Sequence, residues 1–222
     1  MIKAKQKPIA EIMELIAPYK KILILGCGTC VTISFAGGEK EVMELASRLR
    51  IATAMQGQNK TFGEATIQRQ CEWEFVDEVA ELVNNADAVL SLACGVGVQA
   101  LAERYPDKVI LPGVNTTFLG MAVEHGVLVE RCAACGDCIL GRTGGICPIA
   151  RCAKNLLNGP CGGSQNGKCE VNPDLDCAWQ LIYDRLARLG QLDQLATIMP
   201  PKDWSKDSGG GPRKIVREDL TL

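Results

Sequence analysis

Short apolar runs alternate with amphipathic stretches along the first half of the chain. Residues 21–26 (KILILG) form a continuous apolar run closed by glycine, which is typical of a buried parallel strand. Residues 39–50 follow with their apolar side chains at helical spacing, Val42 and Leu45 among them. The pattern therefore predicts a strand, a connection containing glycine and then a helix.

The same alternation continues to about residue 114. The further predictions are a short helix within 1–20, strands at 65–70, 88–93 and 109–114, and helices at 75–84 and 98–104. Alternating strands and helices are typical of a mostly parallel sheet covered by helices. We therefore predict a Rossmann-like α/β domain over residues 1–127.

The pattern changes after this domain. Residues 128–178 are rich in cysteine and glycine and contain only brief apolar runs, so something other than a hydrophobic core must hold them together. Residues 178–189 have the apolar stripe of a helix, and the tail from Pro200 combines prolines, a glycine triplet and mixed charge. We predict a cysteine-rich iron-sulfur module at 128–178, and a helix with an extended, partner-docking tail at 179–222.

Charge and hydropathy limit the classes of partner. Lysine and arginine number 24 against 26 aspartates and glutamates, and a net charge of −2 does not favour nucleic acid or a membrane surface. The apolar runs are far shorter than the roughly 20 residues of a membrane helix. Charged residues also interrupt the amino-terminal stretch where a secretory signal has its apolar core. We expect a cytoplasmic protein.

The chain contains 12 cysteines. Reducing compartments disfavour disulfides, so metal binding or redox chemistry is the usual reason for so many thiols in a cytoplasmic protein. Eight of them lie in the cysteine-rich module: Cys132, Cys135, Cys138, Cys147, Cys152, Cys161, Cys169 and Cys177.

The first four of these cysteines follow a ferredoxin-like order. Cys132, Cys135 and Cys138 have the spacing CxxCxxC, and Cys147 precedes a proline, although eight residues separate it from Cys138 where bacterial ferredoxins have three. Eight thiolates equal two sets of four, so we expect two [4Fe-4S] clusters. By the ferredoxin precedent, the CxxCxxC cysteines take a late cysteine as fourth ligand and Cys147 serves the second cluster. A structural zinc site of four thiolates is the alternative.

Four further cysteines occur in the α/β domain. Cys27 and Cys30 follow the first strand predicted in the α/β alternation, Cys71 the second and Cys94 the third. The carboxyl ends of parallel strands share one crevice, so these four thiols are predicted to lie together as ligands of a third metal centre. A [4Fe-4S] cluster, zinc, a CxxC redox pair and four unrelated core cysteines all remain open.

No catalytic constellation is evident elsewhere. The segment 26–31 begins like a dinucleotide fingerprint but has Val31 where the third glycine belongs, so nicotinamide binding is not expected. We find no nucleophile or acid–base pair, and we predict neither catalytic nor cofactor-binding residues beyond the cysteines.

Two stretches carry a family resemblance. The segments RCAACGDCILGRTGGICPIARCAKNLLNGPCGGSQNGKCEV and NPDLDCAWQLIYDRL resemble the C-terminal cysteine-rich domain associated with bacterial methylenetetrahydrofolate reductases. In acetogen-like organisms this domain occurs in a separate small subunit of the MetV type, and the preceding α/β domain fits that subunit in length and order.

The resemblance implies a role in one-carbon metabolism. It implies a heteromeric complex with a barrel-shaped flavin subunit that contains FMN, binds the folate and reduces methylene- to methyl-tetrahydrofolate. The present chain would then be an accessory electron-transfer subunit of the oxidoreductase, with a further electron-donor subunit as another partner. The alternative is a zinc-binding, non-redox scaffold subunit of the same complex.

Overall fold

The computed structural model describes residues 1–216 and residue 219. The chain divides into two compact units, Met1–Val129 (unit 1) and Glu130–Leu222 (unit 2). Within the described residues, seven β-strands are formed: β1 (Ile2–Gln6), β2 (Lys21–Cys27), β3 (Thr61–Ile67), β4 (Ala88–Ser91), β5 (Val109–Pro112), β6 (Val114–Glu124) and β7 (Val127–Cys132).

The described residues also form eight α-helices. They are α1 (Ile9–Ile16), α2 (Cys30–Ile33), α3 (Glu39–Met55), α4 (Trp73–Asp77), α5 (Ala80–Asn85), α6 (Gly95–Arg104), α7 (Pro148–Arg151) and α8 (Ala178–Arg188). Short 3-10 turns occur at Leu140–Arg142, Leu192–Ala196, Trp204–Lys206 and Ser208–Gly210.

Unit 1 is built on a four-stranded parallel sheet with the strand order β3-β2-β4-β5. The central strand β2 is buried on both faces. Ile22 and Ile24 pack in one apolar cluster with residues of α1 and α3, whereas Leu23 and Leu25 pack in a second cluster with residues of α4 to α6. Alternate residues of a strand point to opposite faces, so one continuous apolar run serves both layers. This mixed α/β architecture is consistent with the Rossmann-like fold predicted from the sequence.

A second sheet in unit 1 was not predicted. It has the order β1-β6-β7, with β1 antiparallel to β6. The prediction of a helix within 1–20 is correct only for α1, because residues 2–6 form β1. The alternation of Ile2 and Ala4 with lysines is a strand pattern, and the helical spacing begins only at Ile9. β6 and β7 are joined by His125 and Gly126, and the φ of +79° at Gly126 fits a tight turn.

Unit 2 contains little regular structure and a small apolar core. Its buried members are Cys177, Trp179, Ile182 and Leu186, all at the start of α8 or within it. The stripe predicted over 178–189 is confirmed as α8. Partly buried residues from other segments, Cys152 among them, complete this core.

No helix within residues 1–216 is long and apolar enough to cross a membrane.

Candidate metal centres

The four later cysteines of unit 2 line one small cavity. They are Cys152, Cys161, Cys169 and Cys177, and Lys154, Ser164, Glu170, Ala178 and Trp179 complete the wall. The four thiols come from separate segments, so the folding of unit 2 is what brings them together. Sequence spacing gave no means of pairing them.

Two of these cysteines are fixed by helix ends. Cys152 follows the last residue of α7, and its backbone N–H donates to the carbonyl of Pro148 at 2.9 Å. Cys177 immediately precedes α8, and its N–H donates to the carbonyl of Gly167 at 2.7 Å. The indole N–H of Trp179 donates to the carbonyl of Leu156 at 3.0 Å, which ties α8 to the chain beyond Cys152.

Cys169 lies in a turn that directs backbone N–H groups at its sulfur. Hydrogen bonds from the backbone N–H groups of Asn172 and Val171 lower the pKa of the Cys169 thiol, and the N–H of Ala153 and the charge of Lys154 act in the same direction. Since the thiolate is the form that binds metal, this environment favours the ligand form of the side chain.

One charged pair lies at the same cavity. The ammonium of Lys154 forms an ion pair with the carboxylate of Glu170, and both residues line the wall. Lys154 therefore places positive charge beside the thiols, which offsets part of the negative charge that several thiolates would bring together.

The other four cysteines of unit 2 lie earlier in the chain. The N–H of Ala134 donates to the sulfur of Cys132 at 3.3 Å, and the N–H of Ala150 donates to the sulfur of Cys147 at 3.4 Å. Cys147 is also the residue that caps the start of α7. Backbone N–H donors to sulfur are typical of thiolate ligands, whose negative charge they stabilise.

The tail of the chain packs on the CxxCxxC loop. The ammonium of Lys202 donates to the carbonyl of Asp137 and lies 3.6 Å from its carboxylate. The N–H of Ser208 donates to the carbonyl of Ala134 at 3.0 Å. These contacts with the CxxCxxC loop were not predicted, because the tail was expected to be ordered only against a partner.

In unit 1, three strands deliver cysteines to one edge of the parallel sheet. Cys27 ends β2, Cys71 follows β3 and Cys94 follows β4. Partial desolvation raises the pKa of the Cys71 thiol, although the residue is exposed, and negative charge on Cys27 and Cys94 adds to the shift. Cys30 begins α2, three residues after Cys27.

Among the described residues, no three histidine, cysteine, aspartate or glutamate side chains are placed to hold a metal ion directly. The sulfurs of a zinc site all lie about 2.3 Å from the same ion. In a four-iron cluster, each of four cysteines binds a different iron, so the sulfurs are spaced by the cluster itself. A four-iron cluster therefore requires that the four thiols lie around one cavity or along one edge of a sheet, and not that their sulfurs meet at a single point.

Unit 2 also contains a larger cavity, of about 450 Å³. Its wall is mostly apolar and includes Leu157, Trp179 and Tyr183, with Arg142 and Gln194 among the polar residues. Trp179 and Ser164 belong to both cavities, so the larger one adjoins the four-cysteine cavity.

Fold and cysteine arrangement define a general class, a Rossmann-like α/β unit joined to a cysteine-rich unit. Residues 111–205 match a family model described as the methylene-tetrahydrofolate reductase C terminal. This segment belongs to that family, and the resemblance inferred from the cysteine motifs is confirmed. No curated protein and no solved structure matches the chain.

Proposed function

We propose that this chain is the iron-sulfur electron-transfer subunit of a methylenetetrahydrofolate reductase. It would pass electrons to a flavin subunit, which contains FMN and reduces methylene- to methyl-tetrahydrofolate. The family match over residues 111–205 supports the link to the reductase. The role of the chain within the complex rests on its cysteines.

The observation that carries the proposal is the cavity lined by Cys152, Cys161, Cys169 and Cys177. A set of four thiols fits two kinds of centre, zinc and an iron-sulfur cluster. The CxxCxxC motif in the same unit favours the cluster, because that spacing is typical of ferredoxin ligands. A bound cluster would supply one-electron redox chemistry.

The chemistry of the residues around the cavity supports this proposal. The thiolate form of Cys169 is stabilised by backbone N–H groups directed at its sulfur and by the charge of Lys154. The wall of the cavity also includes apolar residues. Donors and positive charge near the sulfurs are among the features that set a cluster's reduction potential. In this proposal, Lys154 and the turn at Cys169 therefore hold the ligands and tune the centre.

The shared cavity supports a grouping of ligands that differs from the one expected from the sequence. We assign Cys152, Cys161, Cys169 and Cys177 to one cluster. Cys132, Cys135, Cys138 and Cys147 then form the second set, in place of the arrangement in which Cys147 joined the later cysteines. We propose this grouping because the four late cysteines line one cavity together.

A paired substitution tests the ligand assignment. In the full-length chain, purified anaerobically with its flavin partner, Cys161→Ser together with Cys169→Ser removes two ligands of one cluster. We expect iron and acid-labile sulfide to fall by about four each per chain. Reduction of the partner's FMN by a low-potential donor added to this subunit should also be lost.

The matched control is Ser164→Ala, which changes the wall of the same cavity without removing a thiol. This variant should keep the iron content and electron transfer of the unsubstituted protein. Loss of zinc instead of iron from the paired variant would favour the non-redox scaffold and contradict the proposal.

A further inference from the structure

Unit 1 has its own set of cysteines, outside the family match and outside the centres proposed above. In the sheet, β3 and β4 are the two neighbours of β2. Cys27 is paired in register with Ile67 of β3, and Leu25 is paired with Ser91 of β4. Cys71 and Cys94 come a few residues after these paired positions. All three cysteines therefore leave the same carboxyl edge of three adjacent strands.

Contacts at this edge bring the cysteine segments closer. The sulfur of Cys27 lies 3.9 Å from the carbonyl oxygen of Gln68, in the segment that leads from β3 to Cys71. The N–H of Gly28 donates to the carbonyl of Ile67 at 2.8 Å. The turn that carries Cys27 and Cys30 is thus attached to the segment that carries Cys71.

A buried amide joins the segments that end in cysteine. Gln70 is 0% exposed, and its side-chain nitrogen donates to the carbonyls of Leu25 and Gly26 at 2.8 and 2.9 Å. Its side-chain oxygen accepts from the hydroxyl of Ser91 at 2.6 Å. That hydroxyl in turn accepts from the N–H of Ala93 at 3.2 Å.

The network therefore spans three chain segments, each one residue from a cysteine: Gly26 before Cys27, Gln70 before Cys71 and Ala93 before Cys94. A buried amide is costly unless its polar atoms are bonded, and here each bond fixes one of these segments. A β-carbon on Gly97 would lie 2.7 Å from that of Ala93 and 2.8 Å from that of Gln70, so glycine lets α6 pack closely against the network.

We propose that unit 1 holds a further [4Fe-4S] cluster, bound by Cys27, Cys30, Cys71 and Cys94, and that Gln70 is a positioning residue for it. This inference does not depend on the function proposed for unit 2. Neighbouring strands lie about 4.8 Å apart, so ligands from three strands start from positions spread across about 10 Å. A cluster that binds each thiolate through a different iron suits that spread better than a single zinc ion.

The exposure of the thiols suits electron exchange. Cys27 and Cys94 are buried, Cys30 is intermediate and Cys71 is exposed. A cluster held by them would lie at the surface of unit 1, with one ligand facing solvent or a partner. A CxxC disulfide would use only Cys27 and Cys30. It would not explain why Cys71 and Cys94 leave the same edge of the sheet.

The first test is metal analysis of the full-length chain, purified anaerobically. Cys27→Ser together with Cys94→Ser should lower iron and acid-labile sulfide by about four each per chain. The loss should add to that of the Cys161→Ser and Cys169→Ser pair. If the unit 1 pair keeps all the iron while the unit 2 pair loses its share, this proposal is overturned and the proposed function stands.

Two other metal results have distinct meanings. Absence of iron from the unsubstituted chain would overturn both proposals. Loss of zinc instead of iron from the unit 1 pair would overturn the cluster assignment in unit 1 alone.

A second measurement does not require the cysteine variants to fold. Thiol alkylation of the unsubstituted protein, mapped by mass spectrometry, should leave Cys71 unmodified until an iron chelator is added, although its side chain is exposed on the protein surface. Rapid modification of Cys71 in protein with its full iron content would exclude it as a ligand.

The role of Gln70 is tested by Gln70→Met, with Gln99→Met as the control. Gln99 is an exposed glutamine on α6 whose amide donates to the carbonyl of Gly95 at the same edge. In the Gln70→Met variant, a chelator should remove iron roughly tenfold faster. The acceleration should be confined to the kinetic phase of iron release that is absent from the variant with Cys27→Ser and Cys94→Ser. The substitution should also alter the electron paramagnetic resonance signal assigned to that centre. A lower melting temperature with unchanged release and signal would show that Gln70 is merely structural.

Discussion

Lys202 is a buried lysine that contacts the CxxCxxC loop, whose cysteines are predicted to bind a cluster. Its side chain is only 3% exposed, and its ammonium contacts both the carbonyl and the carboxylate of Asp137, between Cys135 and Cys138. It also lies 5.8 Å from the ring centroid of Trp204, within cation–π range. Lys202 therefore helps to attach the tail to the CxxCxxC loop, beside the hydrogen bond from Ser208 to Ala134.

We predict that Lys202→Met destabilises this attachment by about 1–3 kcal/mol, because the carbonyl and carboxylate of Asp137 lose their charged partner. Limited proteolysis should cleave the tail faster, and iron should be lost more readily from the cluster that includes Cys135. Lys206→Met is the control, since the Lys206 side chain is exposed and its ammonium pairs with Asp203 at the surface. Equal protease sensitivity of the two variants would contradict a specific role for Lys202.

The sequence did not predict this contact. Lysines are mostly exposed, and Lys202 lies in a proline- and glycine-rich tail far along the chain from Asp137. The cysteines were easier to single out as candidate ligands, because CxxCxxC spacing has a chemical meaning of its own. Gln70 was missed for the same reason as Lys202, since an isolated polar residue gives no periodic signal.

At the scale of elements, α8 holds the small core of unit 2. Ile182 is 0% exposed and packs with Trp179 and Leu186, while Cys177 lies at the start of the helix. We predict that Ile182→Ala lowers the free energy of unfolding of unit 2 by about 2–4 kcal/mol, through lost burial and the cavity left behind. Urea unfolding followed by circular dichroism measures this change.

Tyr183→Ala provides the comparison on the same helix. Tyr183 is 49% exposed, so its truncation should change stability by less than about 1 kcal/mol. A similar loss of stability in both variants would show that the burial pattern of α8 does not determine the stability of the unit.

Periodic elements were the easiest to predict. The strand at β2, the helix at α3 and the stripe at α8 follow directly from apolar spacing. The prediction was wrong for β1, because the five residues of alternating apolar and polar side chains were assigned to the helix that follows. It also missed β6 and β7. Half-exposed edge elements of this kind depend on pairing with distant strands, as β1 pairs with β6, and local spacing carries little of that information.

The two units of the molecule differ in how well the sequence alone predicts which of their cysteines lie together. In unit 1, strand order follows simple rules, so cysteines at successive strand ends were expected to share an edge. In unit 2, the loops between α7 and α8 have no repeating pattern, and several glycines there adopt positive φ, Gly162 and Gly167 among them. That Cys152, Cys161, Cys169 and Cys177 line one cavity is seen only in the fold.

The presence of iron-sulfur clusters is tested by iron, zinc and acid-labile sulfide analysis of the full-length chain purified without oxygen, combined with Mössbauer spectroscopy. We predict about eight irons per chain from the cysteine-rich unit, and about twelve if unit 1 is also loaded, with equal sulfide and the signature of [4Fe-4S] clusters. Stoichiometric zinc with negligible iron and sulfide would contradict this prediction.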